Sequence, residues 1–136
     1  MIKPQTKTKT VTIYYTVCQY VPDPVRNERL NIGMAIQIPE LKFSKFYYHD
    51  QSQRLQAFDP DNDLSFMKIS LISFTELFAA AKQSDYPDFA DVTQANFLSD
   101  RTRYFVNCFR FSPIEQLTVT PKQVKKTINW LKQRHI

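Results

Sequence analysis

The sequence is poor in cysteine, and its two cysteines exclude the common metal and redox motifs. Cys18 and Cys108 lie in separate apolar stretches and form neither a C-x-x-C pair nor a Cys/His cluster, which argues against a zinc site or a dithiol centre. We expect two small buried thiols in a reducing compartment, with the cytoplasm as the location. A disulfide or a reactive thiol is the alternative.

Long apolar runs and catalytic motifs are also missing. No apolar run reaches the length of a transmembrane helix, so we expect no membrane partner. The basic start lacks the apolar segment of a secretory signal. The sequence has no glycine-rich phosphate loop, nucleophile elbow or metal-ligand spacing, so no cofactor and no metal are expected and an enzyme is disfavoured. Asp59, Asp61 and Asp63 have calcium-loop spacing, but Leu64 and Ser70 stand where such a loop has Gly and Glu.

The composition is that of one globular domain. The chain has 136 residues, of which 43% are hydrophobic and 14% aromatic. This is close to the commonest domain size and supplies enough large apolar side chains for a core. We expect a flexible basic tail over residues 1–9 and a single domain over residues 10–136.

Positive charge is concentrated at the two ends of the chain. The net charge is +5. Three lysines lie in the tail, and residues 121–136 carry five cations and no acid: Lys122, Lys125, Lys126, Lys132 and Arg134. Basic ends on a mildly acidic body suit a nucleic-acid or acidic-protein partner, although a lysine-rich helix face is more often only solvated.

Three β-strands are predicted near the start of the domain. Residues 11–17 alternate apolar and polar side chains, and residues 43–49 are rich in Phe and Tyr. Between them, residues 30–38 carry one apolar row that we expect to face the helices: Leu30, Ile32, Met34, Ile36 and Ile38. Such alternation with short joins predicts an antiparallel meander with the first two strands paired.

Two amphipathic helices are predicted after the strands. Residues 64–81 have apolar side chains three and four apart, and the acids of residues 59–63 suit the capping of this helix. The second helix follows Thr120-Pro121-Lys122-Gln123, which reads as a capping box. Its expected buried stripe, with Trp130 at the edge, is Val124, Thr127, Ile128 and Leu131.

The intervening segment is less regular. We interpret residues 82–103 as a loop with a helical turn near residues 92–98, followed by strands over residues 104–111 and 117–119. The fold class is therefore α+β, a mainly antiparallel sheet of four to five strands with two main helices packed on one face.

One segment, QYVPDPVRNERLNIG at residues 19–33, differs from a plain hairpin. A two-residue turn would join two strands, whereas this join is about ten residues long and contains two prolines. Gly33, the single glycine, lies inside a strand, which indicates a bulge or a close backbone approach. Because a guanidinium can bind phosphate or carboxylate bidentately, this segment is a candidate binding site. Its candidate residues are Asp23, Arg26, Glu28, Arg29, Asn31 and Gly33. The alternative is a structural ion-pair network, such as Arg26 with Asp23 or Glu28.

The same segment carries a family resemblance. Tyr20-Val21-Pro22-Asp23-Pro24-Val25-Arg26, then Glu28, Asn31 and Gly33, resembles the signature of an uncharacterised bacterial family called domain of unknown function 3037. The resemblance extends to Asp59-Pro60-Asp61-Asn62-Asp63-Leu64 and to Phe109-Arg110-Phe111-Ser112-Pro113. Two positions depart from it, Asn27, where the family often has glycine, and Leu30, where Val or Phe is usual.

The resemblance implies a fold and no catalytic residue. It also implies a toxin–antitoxin or phage-defence setting, because members look like neighbours of kinases that resemble the HipA toxins. The first functional hypothesis is therefore a non-enzymatic protein-interaction module, such as a small partner or antidote of such a kinase. The second is a nucleic-acid-binding protein that uses the basic tail with Lys122, Lys125 and Lys126. The third is a small hydrolase or nuclease that works through Arg26, Glu28 and His49.

Overall fold

Five strands and four helices make up the described part of the chain, which in this computed structural model covers residues 9–49, 52–79, 89–103 and 108–136. In chain order the elements are β1 (Val11–Tyr20), β2 (Leu30–Ile38), β3 (Phe43–Tyr47), α1 (Ser52–Phe58), α2 (Leu64–Leu77), α3 (Phe97–Thr102), β4 (Phe109–Phe111), β5 (Glu115–Val119) and α4 (Val124–His135). Short 3₁₀ turns over Pro39–Leu41 and Pro121–Gln123 precede β3 and α4.

The five strands form one antiparallel sheet in which β1 has neighbours on both sides. The order is β3-β2-β1-β4, and β5 pairs with the opposite end of β1 from β4. Ser112 joins the two short strands to β1, because Val17 N donates to Ser112 Oγ and Ser112 N donates to Val17 O, each at 2.9 Å. The predicted meander and the antiparallel pairing of the first two strands are confirmed.

Helices cover both faces of this sheet. On one face, α2 and α3 pack in a cluster that includes Ala35 and Phe46. On the other, α4 packs Ile128 among Met34 and Ile36. Successive residues of a strand point to opposite faces, and β2 is apolar on both. The α+β class and the five-stranded antiparallel sheet are confirmed. The predicted packing of both main helices on one face is wrong, since the two sides of β2 each require an apolar cover.

A β-bulge divides the predicted apolar row of β2. Cys18 pairs with Gly33 and Gln19 pairs with Asn31, so Ile32 is an extra residue with no partner on β1. An extra residue reverses the alternation of side chains beyond it. The row therefore contributes to both cores: Leu30 and Ile32 pack with α2, and Met34, Ile36 and Ile38 pack with α4.

Gly33 confirms the close backbone approach that a strand glycine indicates. A Cβ atom at this position would lie 2.8 Å from Cε2 of Phe46, closer still to Cζ of the same ring, and 3.1 Å from the carbonyl oxygen of Tyr47. The absence of a side chain here lets the Phe46 ring lie against β2. Phe46 in turn stacks on Phe78, at the end of α2, with ring centroids 5.8 Å apart.

The predicted starts of the two long helices are confirmed. Asp63 caps α2 by accepting a 3.1 Å hydrogen bond from Phe66 N. Thr120 and Gln123 form the capping box before α4. The ends are less accurate, because α2 ends at Leu77 rather than at residue 81 and β3 ends at Tyr47 rather than at residue 49; residues 80–81 lie outside the described part.

The boundaries of the remaining helices and strands differ more from the prediction. The sequence pattern did not predict α1, and the helical turn expected near residues 92–98 is instead α3, at Phe97–Thr102. The expected strand over residues 104–111 is described only as β4, since residues 104–107 lie outside the described part, and β5 is two residues longer than predicted. Residues 1–8 of the predicted tail are also outside the described part.

Both cysteines are unpaired thiols, as expected. Cys18 is buried and Cys108 is half-buried. Burial raises the pKa of the Cys18 thiol well above its ordinary value, and the neighbouring Cys108 adds to that increase.

Arg101 is a buried cation that the sequence pattern did not single out. Its side chain is 1% exposed. It donates to three backbone carbonyls, at 2.9 Å to Leu77, 2.8 Å to Ala90 and 3.1 Å to Phe97. The guanidinium also lies over the Phe97 ring, 3.8 Å from its centroid. Because the Leu77 carbonyl belongs to the last turn of α2, Arg101 joins α3 to the end of that helix.

Candidate functional site

The loop between β1 and β2, residues 21–29, has its own hydrogen-bonded framework. Asp23 organises it, since Val25 N donates to Asp23 Oδ1 and Asn27 N donates to Asp23 O, both at 3.0 Å. Asn27 has φ of 56°, a left-handed conformation that asparagine and glycine adopt most readily. This explains why asparagine can stand where the resembled family often has glycine.

Arg26 forms an exposed ion pair. Its Nη2 lies 2.7 Å from Oε1 of Glu28, and the two side chains are 68% and 55% exposed. A pair this open to water adds little to stability, because solvent screens the attraction. The predicted alternative, an ion pair between Arg26 and Glu28, is therefore present. The pair leaves the Arg26 guanidinium exposed to solvent.

Arg29 is held differently, by neutral amide oxygens. Its Nε and Nη2 donate to Oδ1 of Asn27, at 3.3 and 3.0 Å, and its Nη1 donates to Oε1 of Gln19 at 3.2 Å. Gln19 then donates to Oδ1 of Asn31 at 3.1 Å. Among the described residues Arg29 contacts no carboxylate. Its guanidinium is thus positioned on the surface while its positive charge is not neutralised.

A polar cleft of about 440 Å³ lies between this loop and the connection from α1 to α2. The Tyr20 hydroxyl donates to Oδ2 of Asp59 at 2.6 Å and joins the two walls. Burial, and next the hydrogen bond to Asp59, raise the pKa of Tyr20 far above its ordinary value. The remaining lining residues are Pro22, Asp23, Arg26, Glu28, Phe58, Pro60 and Asp61.

Three sequence segments that carry the family resemblance meet at this end of β1. The loop contributes Asp23 to Glu28, the acidic segment before α2 contributes Asp59, and the third segment forms β4 beside Tyr20. The Tyr20 and Phe109 rings contact each other, with centroids 6.1 Å apart. Segments far apart in the sequence therefore build one local structure.

The structure separates the other candidate residues. Asn31 and Gly33 do not share a face, because the bulge at Ile32 places Asn31 beside Gln19 and Gly33 against the core. His49 lies away from Arg26 and Glu28, in the lining of a separate apolar cavity of about 290 Å³ that α1 and α2 help to form. Lys122, Lys125 and Lys126 line a groove along α4. Sequence reasoning missed Gln19 and Asn27, whose amides position Arg29.

The family described as protein of unknown function (DUF3037) matches residues 15–134. The chain belongs to the DUF3037 family. The DUF3037 match includes the loop, the cleft, most of the sheet and nearly all of α4, and it confirms the resemblance carried by residues 20–33. No curated protein and no solved structure matches this chain.

Two further features of the described residues bear on the site. No helix within them is both long and apolar enough to cross a membrane. No group of three or more His, Cys, Asp or Glu side chains within them is arranged to hold a metal ion. Two acids of the connection between α1 and α2 have other contacts: Asp59 accepts from Tyr20, and Asp63 caps α2.

Proposed function

We propose that residues 10–136 act as a non-enzymatic protein-binding module whose recognition element is the loop of residues 21–29. The observation that supports this most is that the Arg29 side chain is held in place without a counter-ion among the described residues. Gln19 and Asn27 fix the guanidinium through neutral oxygens and leave its charge available. A guanidinium held in this way loses little conformational entropy when it binds a carboxylate, and its planar donors match that group bidentately.

Val25 supplies the apolar part of the same surface. Its side chain is 93% exposed at the tip of the loop, next to Pro24. The hydrogen bonds that hold the loop involve Asp23, Asn27 and the Val25 backbone, and none of them uses the Val25 side chain. A rigid tip that exposes an aliphatic side chain beside two arginines suits a protein surface with a small apolar pocket bordered by carboxylates.

The setting of this proposal rests on what the family resemblance implies. The resemblance implies a kinase similar to the HipA toxins as a neighbour, so such a kinase is the first partner to test and the module would be its small partner or antidote. A role in toxin–antitoxin or phage-defence systems follows from the same implication. We place the module in the cytoplasm, because its two cysteines are free thiols in a fold that does not use a disulfide.

Affinity capture from the native host tests the proposal, followed by titration of the recovered partner. Four baits are compared with the wild type: Val25→Ser, Arg29→Ala, and the matched controls Leu41→Ser and Lys68→Ala at exposed positions outside the loop. We expect the two loop variants to weaken binding about tenfold or more, as residues central to an interface do. Equal binding by the wild type and all four variants would contradict the proposal.

A further inference from the structure

The outer face of α4 combines positive charge with an exposed aromatic ring. Lys122, Lys125, Lys126 and Trp130 line a groove of about 510 Å³, together with Asn129 and Gln133. These positions recur every three to four residues and therefore lie on one side of the helix. The opposite side of α4 is buried, with Ile128 and Leu131 in the core. The groove is thus the solvent side of a helix that the fold already holds in place.

The three lysines of this groove have no counter-ion among the described residues. None of them forms an ion pair with a described residue, and residues 120–136 contain no Asp or Glu. A row of cations that form no ion pair with a described residue produces a local positive potential that attracts polyanions. A solvated lysine face would have this property as well, so charge alone does not identify the ligand.

Trp130 distinguishes the groove from an ordinary solvated face. Its side chain is 49% exposed, although indole is one of the largest apolar side chains. Arg134, one helical turn further on, places its guanidinium 4.7 Å from the centre of the indole ring. This contact holds the ring on the helix surface, at the edge of the lysine row, and adds a further cation beside it.

We propose that this face of α4 binds single-stranded nucleic acid, with the lysines on phosphates and Trp130 stacked on a base. Exposed aromatic rings beside a basic groove are how proteins bind single strands without reading their sequence. In a duplex the bases are stacked on each other and are not available to a flat surface ring. An acidic protein could use the lysines but would have no specific need for the indole.

Trp130 also makes the test direct, because it is the single tryptophan of the protein. The probe is oligothymidylate or oligouridylate of about 20 nucleotides, longer than the sites of about 4–16 nucleotides typical of single-strand-binding folds. We expect either strand to quench the tryptophan fluorescence on binding. The affinity should fall with salt, with a logarithmic slope of about −0.7 for each phosphate that is neutralised. The DNA and RNA arms show whether the 2′-hydroxyl contributes.

Matched variants distinguish the contribution of the groove to binding from that of the overall charge of the protein and from that of the loop. Lys122→Ala with Lys126→Ala should weaken binding and make the salt slope less steep by about 1.4. Arg54→Ala with Lys68→Ala removes the same charge from exposed positions on α1 and α2, which pack on the other face of the sheet, and should change the affinity far less. Trp130→Leu, followed with a labelled strand, should weaken binding about tenfold, as the loss of one stacking contact does. Val25→Ser should leave it unchanged.

Three results would overturn this inference. One is the absence of binding to either strand at low salt by folded protein, with folding verified by circular dichroism. Another is equal weakening by the two double variants, the one in the groove and the one on α1 and α2. The third is evidence that charge alone acts. Either an unchanged affinity in Trp130→Leu, or an affinity for duplex DNA or for an acidic protein that equals the affinity for the single strands, would provide it. None of these results bears on the loop proposal, which the Val25 and Arg29 variants test separately.

Discussion

The hydroxyl of Tyr20 donates a 2.6 Å hydrogen bond to Oδ2 of Asp59, which joins the end of β1 to the connection between α1 and α2. This contact fixes one wall of the cleft against the other. Asp59 also holds its own turn, since its Oδ1 accepts from Asp61 N at 3.3 Å. The loop of residues 21–29 starts one residue after Tyr20, so the position of the loop depends on this bond.

Replacing Tyr20 by Phe should make the protein less sensitive to high pH. Because the pKa of Tyr20 is raised in the folded state, the unfolded state loses this proton first, near the ordinary tyrosine pKa of about 10. The folded state binds more protons above that pH, and stability falls as the pH rises. Urea unfolding at pH 8 and at pH 11 should therefore show a smaller loss for Tyr20→Phe than for wild type. At pH 8 the variant should be less stable by about 1 kcal/mol; identical pH dependence would count against the role given to Tyr20.

Gly33→Ala should destabilise the fold by about 1–3 kcal/mol, the usual cost of overpacking a filled core. The added methyl group would meet the Phe46 ring and the Tyr47 carbonyl oxygen. The midpoint of urea unfolding measures this cost. Phe46→Leu provides the control, because shortening that ring should make the Gly33→Ala change less harmful than it is in wild type. Additive effects of the two substitutions would show that they do not share this contact.

Arg101→Met should cost about 3 kcal/mol or more, because it leaves buried carbonyls without donors. Arg103→Met is the matched control at the residue that follows α3, since Arg103 is exposed and pairs only with Asp100 among charged residues in the described part. We expect the control to stay within about 0.5 kcal/mol of wild type. Chemical denaturation of both variants measures the difference. Similar stabilities would mean that Arg101 does not hold α3 against the end of α2.

Arg26→Ala and Arg29→Ala should each change the free energy of unfolding by less than about 0.5 kcal/mol, because both side chains are exposed. Their effects on the partner recovered by capture should differ. Arg26 already has Glu28 as a counter-ion, so its loss should weaken binding less than the loss of Arg29. A loss of several kcal/mol of stability in either variant, with binding reduced only by the unfolded fraction, would assign that arginine to the fold.

Local patterns were sufficient to predict the first three strands, the starts of α2 and α4 and the class of the fold. Alternation predicted β1 and β2, and the cap at Asp63 and the Thr120 capping box predicted where α2 and α4 begin. The single glycine indicated the bulge. The pattern could not give the position of the extra residue, Ile32, and for that reason it assigned the whole apolar row of β2 to one face.

The site was predictable only in part. The loop stood out through its prolines and charges, but the amides that position Arg29 lie in polar residues with no distinguishing pattern. Arg101 and Arg103 look alike in the sequence, and only the packing of α3 buries the first and exposes the second. The short helix α1 buries a single side chain, Leu55, which is too little for a periodic signal.

Gln19→Glu tests the central claim, that the Arg29 charge is kept for a partner. The substitution is nearly isosteric and places a carboxylate 3.2 Å from the guanidinium, so it neutralises Arg29 without removing it. An exposed ion pair should change the free energy of unfolding by at most about 1 kcal/mol. If the Arg29 charge is kept for a partner, the affinity for the captured partner should fall about tenfold or more, as in Arg29→Ala, while the fold stays intact. Unchanged or tighter binding by Gln19→Glu would contradict it.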